Sequence, residues 1–268
     1  VVTITASSSD TAIVPNPTVS YTSANATGTL SFTPVASANG TATITVTVND
    51  GQAVNNTTTR TFTVNVSAVN NAPTLAALNN VTISEDASMQ TVTLTDISTG
   101  AANETQTLSI TATSSNPGLI PNPTVNYTSP DASGSLTFTP ATNGNGTATI
   151  TVTVNDGQAI NNTSTRTFGV TVTPLNDAPS LNALNNLTVN EDATAQTINL
   201  SGIGSGAANE AQTLTLTATS SDPSLIPNPI VSYTSPNTTG SLSFTPVANA
   251  NGTATITVTV SDGQALNN

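Results

Sequence analysis

The chain has 268 residues, of which 14 are acidic and two basic (Arg60 and Arg166), with no Lys, His or Cys and a formal net charge of −12. That balance excludes nucleic acid and anionic membrane surfaces as partners, because both require basic patches, and it excludes disulfides and thiolate metal sites. No nucleophile, base and orienting partner stand together, so an enzyme is not expected. No apolar run approaches the length of a membrane span, so no membrane insertion is expected within these residues.

One feature organises everything else. Asn49-Asp50-Gly51 returns as Asn155-Asp156-Gly157 and as Ser261-Asp262-Gly263, a spacing of 106 residues without gaps. Residues 71–162 and 177–268 differ at only 30 of 92 aligned positions. A fixed long period marks a tandem array of one folded unit. The division expected is a partial unit over 1–70, a complete unit over 71–176, and a unit over 177–268 lacking its last strand. This reads as a slice of a longer repetitive chain, in which a unit short of one strand accepts it from a neighbour.

Within the complete unit, period-two alternation predicts seven strands and no helix. They fall at Val81–Ser84, Gln90–Leu94, Gln106–Thr113, Val125–Thr128, Ser135–Pro140, Thr147–Asn155 and Thr165–Thr173, with Pro, Gly, Asn and Asp clusters between them. Thr147–Val154 shows the logic: Ile150, Val152 and Val154 face one side and β-branched Thr the other, as in a half-buried antiparallel strand. The expected core is Val81, Ile83, Val92, Leu94, Leu108, Ile110, Leu119, Ile120, Tyr127, Leu136, Phe138, Ile150, Val152, Val154, Phe168, Val170 and Val172. Ile120-Pro121-Asn122-Pro123, whose Pro-Asn-Pro recurs in every copy, reads as a packed crossing loop. Seven short strands in about 100 residues predict an all-β, immunoglobulin-like sandwich.

Asn176-Asp177-Ala178-Pro179, then Asn190-Glu191-Asp192, then a Thr-rich strand ending in Ser261-Asp262-Gly263, resembles the bacterial cadherin-like and immunoglobulin-like tandem repeats of large extracellular adhesins, including the VCBS type. The resemblance spans the whole chain. It implies a bacterial extracellular or cell-surface location, stalk or adhesive work in surface proteins, filaments or biofilm, and calcium at domain junctions. The chain departs from the pattern in its first linker, Asn70-Asn71-Ala72-Pro73, and where Asp96-Ile97-Ser98 becomes Gly202-Ile203-Gly204.

Strand alternation places Glu85 and Asp86 at the bottom of one unit, beside the outgoing Asn176 and Asp177. The next unit's Glu210 and Asp262 lie at its top. Ca²⁺ takes six to eight oxygens from carboxylates, amides and carbonyls, so Glu85, Asp86, Asn176, Asp177, Glu210 and Asp262 are the candidate ligands of an inter-unit Ca²⁺. The competing reading makes Asp156-Gly157 a simple turn, Glu85-Asp86 a solvated one, and pairs Glu104 or Asp156 with Arg166.

Function is then expected to be structural: each unit adds roughly 40 Å of reach, and the partners are adjacent repeats, other copies of the chain, or a host or matrix surface. Lys-free edge strands make filament assembly by strand pairing a version of the same reading. The alternative is an adhesive module that recognises a glycan or receptor through avidity.

Overall fold

A computed structural model describes residues 1–267. The alternating Thr and aliphatic residues sort into strands throughout, with no helix among the described residues. The first copy contributes β1 (Thr3–Ser8), β2 (Thr18–Ser20), β3 (Thr29–Ser31), β4 (Gly40–Asn49) and β5 (Thr57–Val66). The middle copy has β6 (Val81–Ser84), β7 (Gln90–Leu94), β8 (Ser109–Ser114), β9 (Thr124–Asn126), β10 (Gly134–Phe138), β11 (Gly146–Asn155) and β12 (Thr163–Thr173). The third has β13 (Gln196–Ser201), β14 (Thr215–Ser220), β15 (Ile230–Ser232), β16 (Thr239–Phe244) and β17 (Ile256–Ser261).

In the middle copy two sheets form, ordered β6-β12-β11-β8 and β7-β10-β9. Ladders are antiparallel except β6 with β12, which run parallel from Val81↔Val170 to Ser84↔Thr173. The β11–β12 register sets Ile150 opposite Phe168 and Ala148 opposite Val170, so both strands present their apolar face together. That face meets Leu94, Leu136 and Phe138 of the other sheet in one buried cluster, while the Thr residues between stay outside. This is the two-layer, seven-stranded sandwich predicted. The other copies repeat its parts around smaller clusters, at Val14, Ala42 and Ile44 and at Leu200, Ile203, Leu214 and Leu242.

All seventeen expected core residues lie in or against the middle cluster. Leu75 and Ile97, at 2% and 3% exposure, join it from loop segments that show no alternation. The repeated Pro-Asn-Pro crossing is packed as expected. Ile120 is fully buried, and the Asn122 side chain accepts a hydrogen bond from Ser114 N at 2.8 Å, as Asn16 and Asn228 do from Ser8 N and Ser220 N.

Eight strand limits differ from expectation, four of them by two residues or more: β12 begins at Thr163 rather than Thr165, and three strands fall short at one limit. The strand predicted from Gln106 begins at Ser109, because Leu108 N donates to Ser129 Oγ and the Gln106 side chain turns to Asn70. β9 ends at Asn126, and β10 stops at Phe138, before a Pro that cannot donate to a ladder.

Candidate inter-domain junction site

The junction between the middle and third copies is built around the segment 174–179. Its backbone is fixed from both sides. Leu175 N donates to Glu85 Oε1 at 2.6 Å, and Asn209 Nδ2, from the third copy, donates to Glu85 Oε2 at 2.8 Å. Glu85 is 1% exposed, so the solvated-turn reading fails for it. Asp86 beside it is exposed, with Oδ1 accepting from Asn143 N. The equivalent Glu191 and Asp192 of the third copy are both exposed.

Asn176 is the clasp. Its Nδ2 donates to Asp262 Oδ2 at 2.7 Å and Leu266 O at 2.9 Å, its Oδ1 accepts from Gln212 Nε2, and its carbonyl accepts from Asn267 Nδ2. Asp262, 4% exposed, uses Oδ1 to accept Gln264 N at 2.9 Å. That bond and the Asn176 amide hold its carboxyl below the usual range. The Asp-Gly turn and the junction are therefore one device rather than alternatives.

Asp177 N donates to Glu210 Oε1 at 2.8 Å, which ties the linker to the following loop. Burial raises the Asp177 carboxyl above its ordinary value, and the charges of Asp86, Glu210 and Glu85 add to the rise. Asp177 Oδ2, Glu210 Oε2 and Gln212 Oε1 are shut off from solvent and accept no hydrogen bond from any described residue. An open cleft of about 460 Å³ lies beside them, lined among others by Glu85, Asn209, Glu210 and Gln264. Among the described residues no three acidic side chains group tightly enough to hold a metal ion by themselves. The free oxygens come instead from one Asp, one Glu and one Gln, a mixed set of the kind hard cations accept.

All six residues singled out from the sequence thus lie at or against this junction. Asn209, Gln212 and Gln264 were missed. The signal for the first two is the repeated Asn103-Glu104-x-Gln106 and Asn209-Glu210-x-Gln212, and for Gln264 the repeated Asp-Gly-Gln, both inconspicuous in a chain rich in amides. The Arg166 ion pair of the competing reading does not form among the described residues: Arg166 donates to the carbonyls of Leu75 and Thr165. It sits mid-strand opposite Val152, while Glu104 and Asp156 are held at the unit's end by Asn71 and Asn70.

Glu85→Gln keeps one acceptor but turns an NH₂ toward a second donor. It is expected to lower stability in urea unfolding by about 1–3 kcal/mol. Glu191→Gln, at the exposed equivalent, should change it by about 0.5 kcal/mol or less.

The architecture and the linker clasp define a tandem array of immunoglobulin-like sandwiches. The chain belongs to the bacterial Ig domain family, which matches residues 70–173 and again 176–268. No curated protein matches it. Among solved structures it is similar to domains 4 and 5 of the S-layer protein SbsC, at 19% identity over 63% of this chain and 70% of that one, TM-score 0.31. A longer SbsC structure, rSbsC(31-844), is 15% identical over 98% of this chain but only 30% of its own length, TM-score 0.29. Extracellular cadherin domains 1–5 of protocadherin gamma B2 are 13% identical over 94% of this chain and 48% of that one, TM-score 0.41.

Proposed function

We propose that this is a structural repeat segment of a long bacterial surface or extracellular protein, giving reach, with a joint between units stiffened by a divalent cation such as Ca²⁺. The carrying observation is the solvent-shielded, donor-less oxygens of Asp177 and Glu210 at the junction. Leaving buried charges uncompensated is costly, and a hard cation satisfies such oxygens in one step. Asp177, Glu210 and Gln212 would hold the ion. Glu85, Asn176 and Asp262 are already engaged with protein donors and form the frame, with Asp86 adding negative charge. The cation supplies charge neutralisation; the chain's own linker bonds supply direction. Repetition with few changes supports the spacer role, since units can be added without redesigning the joint.

Small-angle scattering and thermal melting of the 268-residue chain in CaCl₂ and in EDTA test this. A longer, less variable particle and a higher melting temperature in CaCl₂ are expected. Identical scattering and melting in the two buffers would remove the cation from the account.

A further inference from the structure

The chain presents the same uncharged edge strand three times. β1, β8 and β14 each have six residues, all Thr, Ser, Ala or an aliphatic, and each is the outer strand of its sheet. Such an edge is a template for another chain, and Lys, Pro, bulges or shortness are the ordinary defences. At other edges of the middle sandwich β6 and β9 are short, with four and three residues. β8 has none of those defences in its own sequence.

The ladder decides which of its backbone groups face outward. Ser115 N donates to Thr149 O at 2.9 Å, so odd-numbered residues turn their polar groups to β11 and even-numbered ones turn them to the open side. Leu108, just ahead of β8, and then Ile110, Ala112 and Ser114 point that way. The first and last are already taken. Leu108 N donates to Ser129 Oγ at 3.0 Å, and Ser114 N donates to Asn122 Oδ1 at 2.8 Å. An incoming strand meets only the amides of Ile110 and Ala112, set between two side chains that occupy its path. Both closures recur. In the first copy Val2 N donates to Ser23 Oγ at 3.2 Å and Ser8 N to Asn16 Oδ1 at 2.8 Å. In the third Leu214 N donates to Ser235 Oγ at 3.1 Å and Ser220 N to Asn228 Oδ1 at 2.8 Å. The Asn is rigidly held, because a Pro on either side fixes φ and confines the Asn itself to extended backbone. Pro17, Pro123 and Pro229 are buried, while Asn16, Asn122 and Asn228 stand exposed on the edge.

We propose that Asn122 and Ser129, with their equivalents, guard this edge and deny it to the matching strand of a second copy of the chain. The Pro-Asn-Pro crossing takes the place of the charged gatekeepers that the sequence lacks. Near-identical units can then stand side by side without cross-pairing, and association between copies runs through other surfaces. The inference stands on the sheet geometry alone and is independent of the cation at the joint.

The test uses the whole 268-residue chain. An opened variant carries Asn16→Ala, Asn122→Ala and Asn228→Ala together. Thr5→Lys, Thr111→Lys and Thr217→Lys are then added to the wild type and to the opened variant; these Thr are exposed in the middle of the guarded strands, where Lys opposes pairing. Sedimentation velocity at rising concentration reads association, and circular dichroism melts read folding. The opened variant should sediment faster than wild type as concentration rises, and the added Lys should reverse this. The wild type should sediment alike with and without Lys. A folded opened variant that sediments as wild type does would overturn the proposal. So would association that Lys leaves untouched, or wild-type association that Lys removes. Should the opened variant fail to fold, amide exchange of the wild type decides. Leu108 and Ser114 are expected to exchange roughly tenfold or more slowly than Ile110 and Ala112, and equal rates would mean that the edge stands open.

Discussion

Phe168→Ala is expected to destabilise the middle unit by about 3–5 kcal/mol, the range for emptying an aromatic site in a closed core. Phe168 is 2% exposed and stands opposite Ile150 on β12, in contact with a cluster that includes both sheets. Neighbouring strands are pinned by long ladders, so they relax little into the void. The chain carries its own control. Phe62 occupies the equivalent place on β5, opposite Ile44, but is 42% exposed. Phe62→Ala should therefore cost well under half as much, since less apolar surface returns to water. Calorimetry resolves the two: a drop on the order of 15 °C in one transition is expected for Phe168→Ala. Equal effects of the two substitutions would mean that packing at Phe168 is not what holds the middle unit.

Gly206→Ala should break the joint while sparing the sandwich. Gly206 has φ +106°, and a Cβ there would lie 2.5 Å from Ala178 O and 2.8 Å from Asp177 Cβ. Both contacts are to parts of the linker that cannot swing aside, so the linker must lift. It then takes the Asp177–Glu210 and Asn176–Asp262 bonds with it. The strained φ alone costs about 1–3 kcal/mol. Gly157→Ala isolates that part, because φ is +76° there and nothing lies within 4 Å of the added carbon. Limited proteolysis should show faster cleavage within residues 174–179 for Gly206→Ala and not for Gly157→Ala. Unchanged cleavage would mean that close approach at Gly206 does not hold the linker down.

The regular parts of the fold were legible because the alternation that makes a strand is itself a sequence pattern. β6 and β7 fall where predicted, and the buried face of β11 was readable from Ile150, Val152 and Val154. Leu75 and Ile97 were not legible, since loop residues reach the core by paths with no period. At the junction the acids were identified by topology alone, which says which ends of which strands meet. The amides were not. Asn209 and Gln212 look like any other surface amide until the fold sets them against Glu85 and Asn176. The burial of Glu85 was equally hidden, because its partners, Leu175 of the outgoing linker and Asn209 of the next unit, meet it only in the fold. The competing Arg166 pairing fails for a related reason: a single cation among many anions invites an ion pair, yet its place mid-strand puts backbone carbonyls closer.

The parallel pairing of β6 with β12 has a mechanical consequence. In a chain pulled from its two ends, load enters the middle unit through the linker ahead of β6 and leaves through the end of β12. The two strands lie side by side and point the same way, so tension slides one along the other. The ladder from Val81↔Val170 to Ser84↔Thr173 is then strained all at once, whereas a hairpin pulled open from its end yields one bond at a time. A unit wired in this way resists stretching better than one whose terminal strands peel apart from a hairpin end.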